Sequence, residues 1–290
     1  MEAEGMDSEG RGFRNVREMW REVIGCDGVE KEQKEGSSTV QNSNKRQEWY
    51  SKGIAYWQGV DASVDGVLGG YGNVNDADVK GSEAFLQPLL AVRFGGGNPH
   101  LVALDCGSGI GRITKNLLIR YFNEVDLVEP VSHFLDAARK NLAPENIVQG
   151  SHKAANFYGV PLQDFSPECE RYDVIWVQWC IGQLPDDDFV AFFKKAKSGL
   201  KPNGFFVLKE NIAKSGFVLD KEDQSITRSD GYFRQLFQRC GLQIYKTQDQ
   251  KGFPRELFAV KMYALVPILT ETTTRVQRKF QTWAPTIIKS

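Results

Sequence analysis

Asp105, Gly107, Gly109 and Gly111 stand at alternate positions in the run Leu104-Asp105-Cys106-Gly107-Ser108-Gly109-Ile110-Gly111-Arg112. An acid that ends a short apolar run, followed by glycines and then by helical periodicity, describes a strand, a tight turn and a helix. Such a turn places a ligand at the carboxyl end of the strand, where open α/β sheets bind nucleosides. The glycines allow close backbone approach, and the free N–H groups of the helix start suit a carboxylate. The methionine end of S-adenosylmethionine carries one, and Arg112 has the geometry to pair with it bidentately. Glu129 ends the next apolar run, eighteen residues beyond Gly111, where a carboxylate can accept both ribose hydroxyls. Gln163, read as the end of a third strand, sits where an adenine edge would lie. Gln178 ends a fourth strand and faces the same cleft. Dinucleotide sites use GxGxxG, whereas here GxGxG follows an acid. That pattern, the second acid and a closing hairpin favour a methyltransferase over a dehydrogenase.

A second set of residues suits an acceptor. Tyr56-Trp57 precedes Val64-Asp65-Gly66-Val67-Leu68-Gly69-Gly70-Tyr71-Gly72, a segment too rich in glycine for a stable helix and better suited to fold over a ligand. Trp179, just past a strand end, is placed to stack on a small ring. Asn211 ends the fifth strand and offers both a donor and an acceptor. Asp220, Glu222 and Asp223 share a loop that reads as an acidic mouth for a basic acceptor.

The elements that must position these groups alternate along the chain. Strands are expected at 101–104, 125–128, within 157–165, and at 174–179 and 205–209, with helices between them at 113–122, 134–142 and 189–200. Lys201-Pro202-Asn203-Gly204 reads as a turn. A helical stripe from Phe233 to Cys240 stops at Gly241, and a final hairpin uses 242–246 and 258–264. Helices are also expected at 49–59 and 81–94. Repeated strand–helix units imply a parallel sheet covered on both faces. Residues 1–47 read as a flexible polar extension, Lys31 to Asn44 above all, interrupted by an apolar stripe of Phe13, Val16, Trp20 and Val23 that is either a stray amphipathic turn in a loose tail or a docking helix for the body or a partner. Residues 48–265 form the catalytic domain, and 266–290 a mildly basic tail.

The formal net charge of -1 over 290 residues, with both signs well mixed, does not indicate a nucleic-acid surface. No run approaches the roughly 20 apolar residues of a membrane span, and the acidic start is no signal peptide. Five cysteines without a CxxC pair, beside three histidines, suggest reduced thiols in the cytoplasm or nucleus and no metal site.

The chain resembles the protein α-N-terminal methyltransferases, which modify Xaa-Pro-Lys/Arg N-termini. The similarity is carried by Tyr56-Trp57, the segment from Val64 to Gly72, Leu104 to Thr114, Leu162-Gln163-Asp164-Phe165, Tyr172 to Trp179, Pro202-Asn203-Gly204 and Lys209-Glu210-Asn211, over roughly 48–265. It implies a class I, Rossmann-like fold with a seven-stranded sheet whose last strand is antiparallel. It implies transfer of methyl groups from S-adenosylmethionine to a protein α-amine, leaving S-adenosylhomocysteine. Gly107, Arg112, Glu129, Leu162, Gln163 and Gln178 would contact the cofactor. Tyr56, Leu68, Gly69, Trp179 and Asn211 would line the peptide channel. Asp220 with Ser225 would hold the basic side chain in third place, and Asp223 would take the proton of the amine. Family members often carry His where this chain has Gln183; glutamine is no base, so that duty falls to Asp223. Asp223, Asn211 and Gln183 are thus the candidate catalytic set. The expected acceptors are ribosomal and chromatin-associated proteins, and the expected state is a monomer. The alternatives are a small-molecule methyltransferase of the same fold and a non-catalytic binder of basic N-termini.

Overall fold

In the computed structural model, residues 3–26, 39–95, 99–146 and 152–268 are described. The chain opens with two short strands, β1 (Gly5–Asp7) and β2 (Gly12–Phe13), and three helices, α1 (Val16–Ile24), α2 (Thr39–Gln58) and the single turn α3 (Val64–Val67). After α4 (Asn75–Phe94) come β3 (Val102–Cys106), α5 (Arg112–Asn116), β4 (Glu124–Val128), α6 (Ser132–Asn141), β5 (Lys153–Tyr158) and β6 (Tyr172–Gln178). The last part contains α7 (Asp186–Ala196), β7 (Leu200–Ile212), the hairpin β8 (Phe217–Asp220) and β9 (Ser225–Arg228), α8 (Asp230–Arg239), β10 (Leu242–Asp249) and β11 (Ala259–Pro267).

Seven strands form the main sheet in the order β10-β11-β7-β6-β3-β4-β5. β11 runs antiparallel to both β7 and β10, so the reversed strand lies inside the sheet and β10 is its edge. β6 is central and all seven of its residues are buried, as expected of a strand covered on both faces. Val174 and Trp176 join the core beneath α4 and α6, while Ile175 and Val177 join the opposite core beneath α7 and α8. This period-two alternation fixes the register, because a one-residue slip would exchange the two faces.

Several boundaries differ from the sequence expectations. β5 ends at Tyr158, not near Phe165, so Leu162 and Gln163 lie in the turn that follows it. α5 has only five residues, since the chain breaks at Leu117 (φ -132°, ψ -66°) before a 3-10 turn. The expected turn at Lys201–Gly204 is a bulge within one long strand: Leu200 pairs with Tyr172 and Phe205 with Val174.

A second sheet, β2-β1-β8-β9, was not foreseen. It corrects the loose tail and favours the docking helix, because residues 3–26 pack on the catalytic body. Asn15 caps α1 by accepting the Glu18 N–H at 2.9 Å. Val16, Met19, Trp20 and Ile24 form its buried stripe, each burial stabilising by about 1.5–3 kcal/mol. The polar face pairs with itself and its neighbours through Arg14–Glu18 and Arg11–Glu22. Residues 27–38 and 269–290, which hold most of Lys31–Asn44 and of the expected basic tail, lie outside the described residues. Among the described residues no helix is long and apolar enough to cross a membrane.

Candidate active site

The glycine run turns sharply after β3. Gly107, Gly109 and Gly111 have φ of 62°, 53° and 74°, the left-handed region where a side chain is strained. At Gly107 space matters as well, since a Cβ there would collide with the Cys180 side chain. Asp105 holds the turn from below: buried, it accepts the Thr114 hydroxyl at 2.7 Å. Burial lifts its carboxyl to about 6. Glu129 holds the turn from the side, one oxygen accepting the Gly109 N–H at 2.8 Å and the other the Val131 N–H at 2.9 Å. Burial pushes Glu129 up to about 7.

This turn forms one wall of a deep cleft. Its apolar end contains Val131, Phe134, Pro161 and Leu162; its polar end contains Asp105, Ser108 and Arg112, with Glu129 also in the lining. All six residues expected at the cofactor, Gly107, Arg112, Glu129, Leu162, Gln163 and Gln178, line this one cleft. The Ser108 hydroxyl is buried without a partner, which fits a hydrogen-bonding ligand. The residues present therefore suit a nucleoside joined to an amino acid. The short α5 leaves little helix dipole, and the Gly109 and Gly111 N–H groups are already taken by Glu129 and by the Ser108 carbonyl, so Arg112 is the main donor at that end.

Behind the polar end lies a buried network that sequence reasoning did not find. Asp78 of α4 accepts from Arg112 Nη1 at 2.7 Å and from Gln178 Nε2 at 3.0 Å, and forms an ion pair with Lys209. Gln178 in turn accepts the Trp176 indole N–H at 3.0 Å. Lys209 also donates to Ser82 at 2.9 Å and Gln250 at 2.7 Å. Burial pulls its ammonium down to about 8, against the opposing pull of Asp78. A lysine in an otherwise apolar central strand was the available signal; its partner lay far away in sequence.

A second pocket adjoins the first, and Trp57, Val67, Trp179 and Gln183 line both. Of the residues expected on the acceptor side, Leu68, Gly69, Asn211, Asp223 and Ser225 also line the second. The glycine-rich segment is ordered: Ser63 caps α3 at Gly66 (3.0 Å), and Asp65 accepts the Gly72 N–H at 2.9 Å. Trp179 stands at the junction with φ 52°, its indole N–H buried and unpartnered. The Arg112 and Lys209 cations lie 5.6 and 5.9 Å from its ring.

Two expected residues lie at the margin. Tyr56 is not part of either lining; it packs edge-on against Trp57 at 5.3 Å, and burial, then the acids of the β8–β9 turn, hold its phenol above its usual range. Asp220 closes the hairpin opposite Ser225 and accepts the Glu222 N–H at 2.8 Å, beside the pocket. Gln183 braces this region: its carbonyl accepts the Trp49 indole N–H at 2.8 Å, and its amide reaches the Asp223 carbonyl at 3.3 Å.

Two carboxylates in the second pocket are perturbed. Asp223 is lifted to about 6, first by burial and then by Asp220 and Glu222, with Ser225 opposing. One of its oxygens is buried and unpartnered. Glu210, which the sequence places with Lys209 and Asn211 on the acceptor side without a role of its own, is lifted to about 7 by burial and also keeps one unpartnered oxygen.

The sheet order, the glycine turn and the paired acids define an S-adenosylmethionine-dependent methyltransferase of class I. The model of the AdoMet dependent proline di-methyltransferases matches residues 45–266, and the chain belongs to that family. An alpha N-terminal protein methyltransferase 1 from Arabidopsis thaliana is 62% identical over 288 residues, covering 98% of this chain and 99% of the relative. An N-terminal Xaa-Pro-Lys N-methyltransferase 1 from Danio rerio is 44% identical, over 75% of this chain and 95% of its own length. The solved structure of a SAM-dependent methyltransferase from Leishmania major superposes with a TM-score of 0.77 at 37% identity, covering 92% of this chain and 97% of that one.

Proposed function

We propose that the chain methylates the α-amino group of proteins that begin Xaa-Pro-Lys/Arg once Met is removed. The observation that carries this reading is the second pocket, which shares Trp179 with the cofactor cleft and contains the half-buried carboxylate of Asp223, one oxygen of which is buried without a partner. The Danio rerio relative, an N-terminal Xaa-Pro-Lys N-methyltransferase by name, supports the same acceptor class.

Gly107, Arg112, Glu129, Leu162, Gln163 and Gln178 hold S-adenosylmethionine, which supplies an electrophilic methyl on sulfur. The nucleophile must be a neutral amine. A free α-amine has a pKa of about 7.7–8.0, so roughly a tenth is neutral at pH 7. Arg112 and Lys209, both close to Trp179, disfavour an ammonium at the junction. Asp223 then takes the proton, directly or through water, and its raised pKa suits it to hold one. Asn211 offers a donor and an acceptor to the peptide end. Gln183 accepts no proton but fixes the turn that carries Asp223. Proline in second place fixes one backbone dihedral before binding. Asp220 and Ser225 receive the Lys or Arg in third place. Leu68 and Gly69 close the channel over the chain end, with Tyr56 packed against Trp57 at its margin.

Ribosomal and chromatin-associated proteins in the cytoplasm and nucleus are the acceptors on this reading, and five free thiols are in keeping with a reducing compartment. Mass spectrometry of a Ser-Pro-Lys peptide incubated with S-adenosylmethionine, beside its N-acetylated form, tests the reaction. Methyl transfer to the free peptide alone is expected. Transfer to both would assign the lysine side chain instead.

A further inference from the structure

The arm formed by residues 3–26 lies outside the matched region 45–266, yet it reaches the acceptor side of the site. β1 runs parallel to β8 with Asp7 beside Leu219, and the Ser8 N–H donates to the Leu219 carbonyl at 2.8 Å. Asp7 is buried. One of its oxygens accepts the N–H groups of Glu9 and Arg11 at 3.1 and 2.8 Å, which fixes the carboxylate in place. The other meets the Lys221 ammonium at 2.5 Å, and Glu9 adds a contact at 3.1 Å. Lys221 therefore holds the Asp7 carboxyl below its ordinary range. The Asp7 side chain has no exposed surface, whereas that of Glu9 is 75% exposed, so Asp7 is the stronger anchor. At its other end the arm sets Trp20 edge-on against Trp49 of α2, at 5.5 Å.

Lys221 is the one cation in the sequence Asp220-Lys221-Glu222-Asp223. A mouth that selects an incoming cation is poorly served by a lysine of its own. The flexible four-carbon stem would let a free Lys221 ammonium approach the acids of its own turn and compete with the acceptor. Asp7 and Glu9 hold that ammonium on the arm instead.

We propose that the arm sets specificity at the third acceptor position, with Asp7 as a positioning residue that sequesters Lys221 so that Asp220 and Asp223 stay unneutralised. This rests on the acceptor reading above and deepens it.

The test is steady-state kinetics of the full chain and its variants Asp7→Asn, Lys221→Ala and the double variant, with Ser-Pro-Lys and Ser-Pro-Gln peptides. Asp7→Asn keeps the oxygen that accepts the two N–H groups and removes the charge. It is expected to raise KM for Ser-Pro-Lys at least about fivefold, with kcat and cofactor affinity little changed and no comparable rise for Ser-Pro-Gln. Adding Lys221→Ala is expected to restore KM, because the competing ammonium is gone. Lys221→Ala alone is expected to give KM at or below that of the unaltered chain. A merely structural bridge makes the opposite demand: both single variants impaired alike and no rescue in the double. That pattern, or an unchanged KM in Asp7→Asn, overturns the proposal. If Asp7→Asn does not fold, Lys221→Ala alone still decides, since a raised KM there excludes sequestration. Failure of the unaltered chain to methylate Ser-Pro-Lys sinks the acceptor reading itself, and this proposal with it.

Discussion

Gln178 and Arg112 grip the same carboxylate, that of Asp78, from the ends of two different elements. Two of the six residues expected at the cofactor are thus fixed by a residue of α4, far from both in sequence. Lys209 completes the charge balance. Asp78→Asn keeps the volume but leaves two buried cations without their counter-charge. Breaking a buried pair in this way costs about 3–5 kcal/mol. In a domain of this size each kcal/mol lowers the melting temperature by roughly 2–4 °C, so a fall of about 10 °C is expected by calorimetry. Cofactor affinity should drop about tenfold or more, because Arg112 and Gln178 lose their common anchor. A variant that melts within about 2 °C of the original would show that the network does not stabilise the fold.

Gly107→Ala and Gly109→Ala separate two costs. Both positions have left-handed backbone, worth about 1–2 kcal/mol for any other residue. Only at Gly107 would the new methyl enter the Cys180 side chain; at Gly109 the nearest atom is a Val67 methyl at 3.7 Å. Urea titration of the ligand-free chain should show Gly107→Ala to be the less stable by about 1–3 kcal/mol. Equal losses would mean that Cys180 moves aside freely.

The same contrast explains what could be read from the sequence. Asp105 to Arg112 is a local device whose glycines, acid and helix start lie within a few residues, so its role was legible. Glu129 was legible by its distance from that turn. Asp78 and Lys209 were not, because the contact that gives them meaning spans 131 positions. Gln163 lines the same cleft as the glycine turn but from a turn and not a strand end, since the apolar run continues past Tyr158. The arm was misjudged for a different reason. The charges of Arg14, Arg17, Glu18, Arg21 and Glu22 dominate its composition, and the stripe of Val16, Met19, Trp20 and Ile24 has value only against a surface the sequence does not display.

Glu210 makes a prediction about stability and pH. Burial raises its pKa to about 7. Its folded form therefore holds the proton more tightly than the unfolded form, whose pKa is near 4.3. The resulting stability is fully present below about pH 4 and is lost as pH rises through about 7. Glu210→Gln mimics the protonated state and keeps an oxygen for the Asn211 N–H. It should stabilise the chain by about 1–2 kcal/mol at pH 8 and have little effect at pH 4.5. Denaturant melts at the two values check this, and stabilisation equal at both would remove ionisation as the cause.

Asp223 makes the corresponding prediction about turnover. Its carboxyl, lifted to about 6, must be ionised to accept a proton, so activity should fall as pH drops through that value. A second rise should follow at about pH 7.7–8.0, where the acceptor α-amine itself becomes neutral. Asp223→Asn should abolish the lower limb and leave the upper one. It should also cut kcat about a hundredfold, the scale of a lost general base, with a smaller change in the KM of a Ser-Pro-Lys peptide. Glu210→Gln is the control, because its carboxylate lies in the same pocket and titrates nearby. If the lower limb survives in Asp223→Asn and vanishes in Glu210→Gln, the proton goes to Glu210. The hairpin turn would then serve recognition alone, and the end of β7 would carry the base.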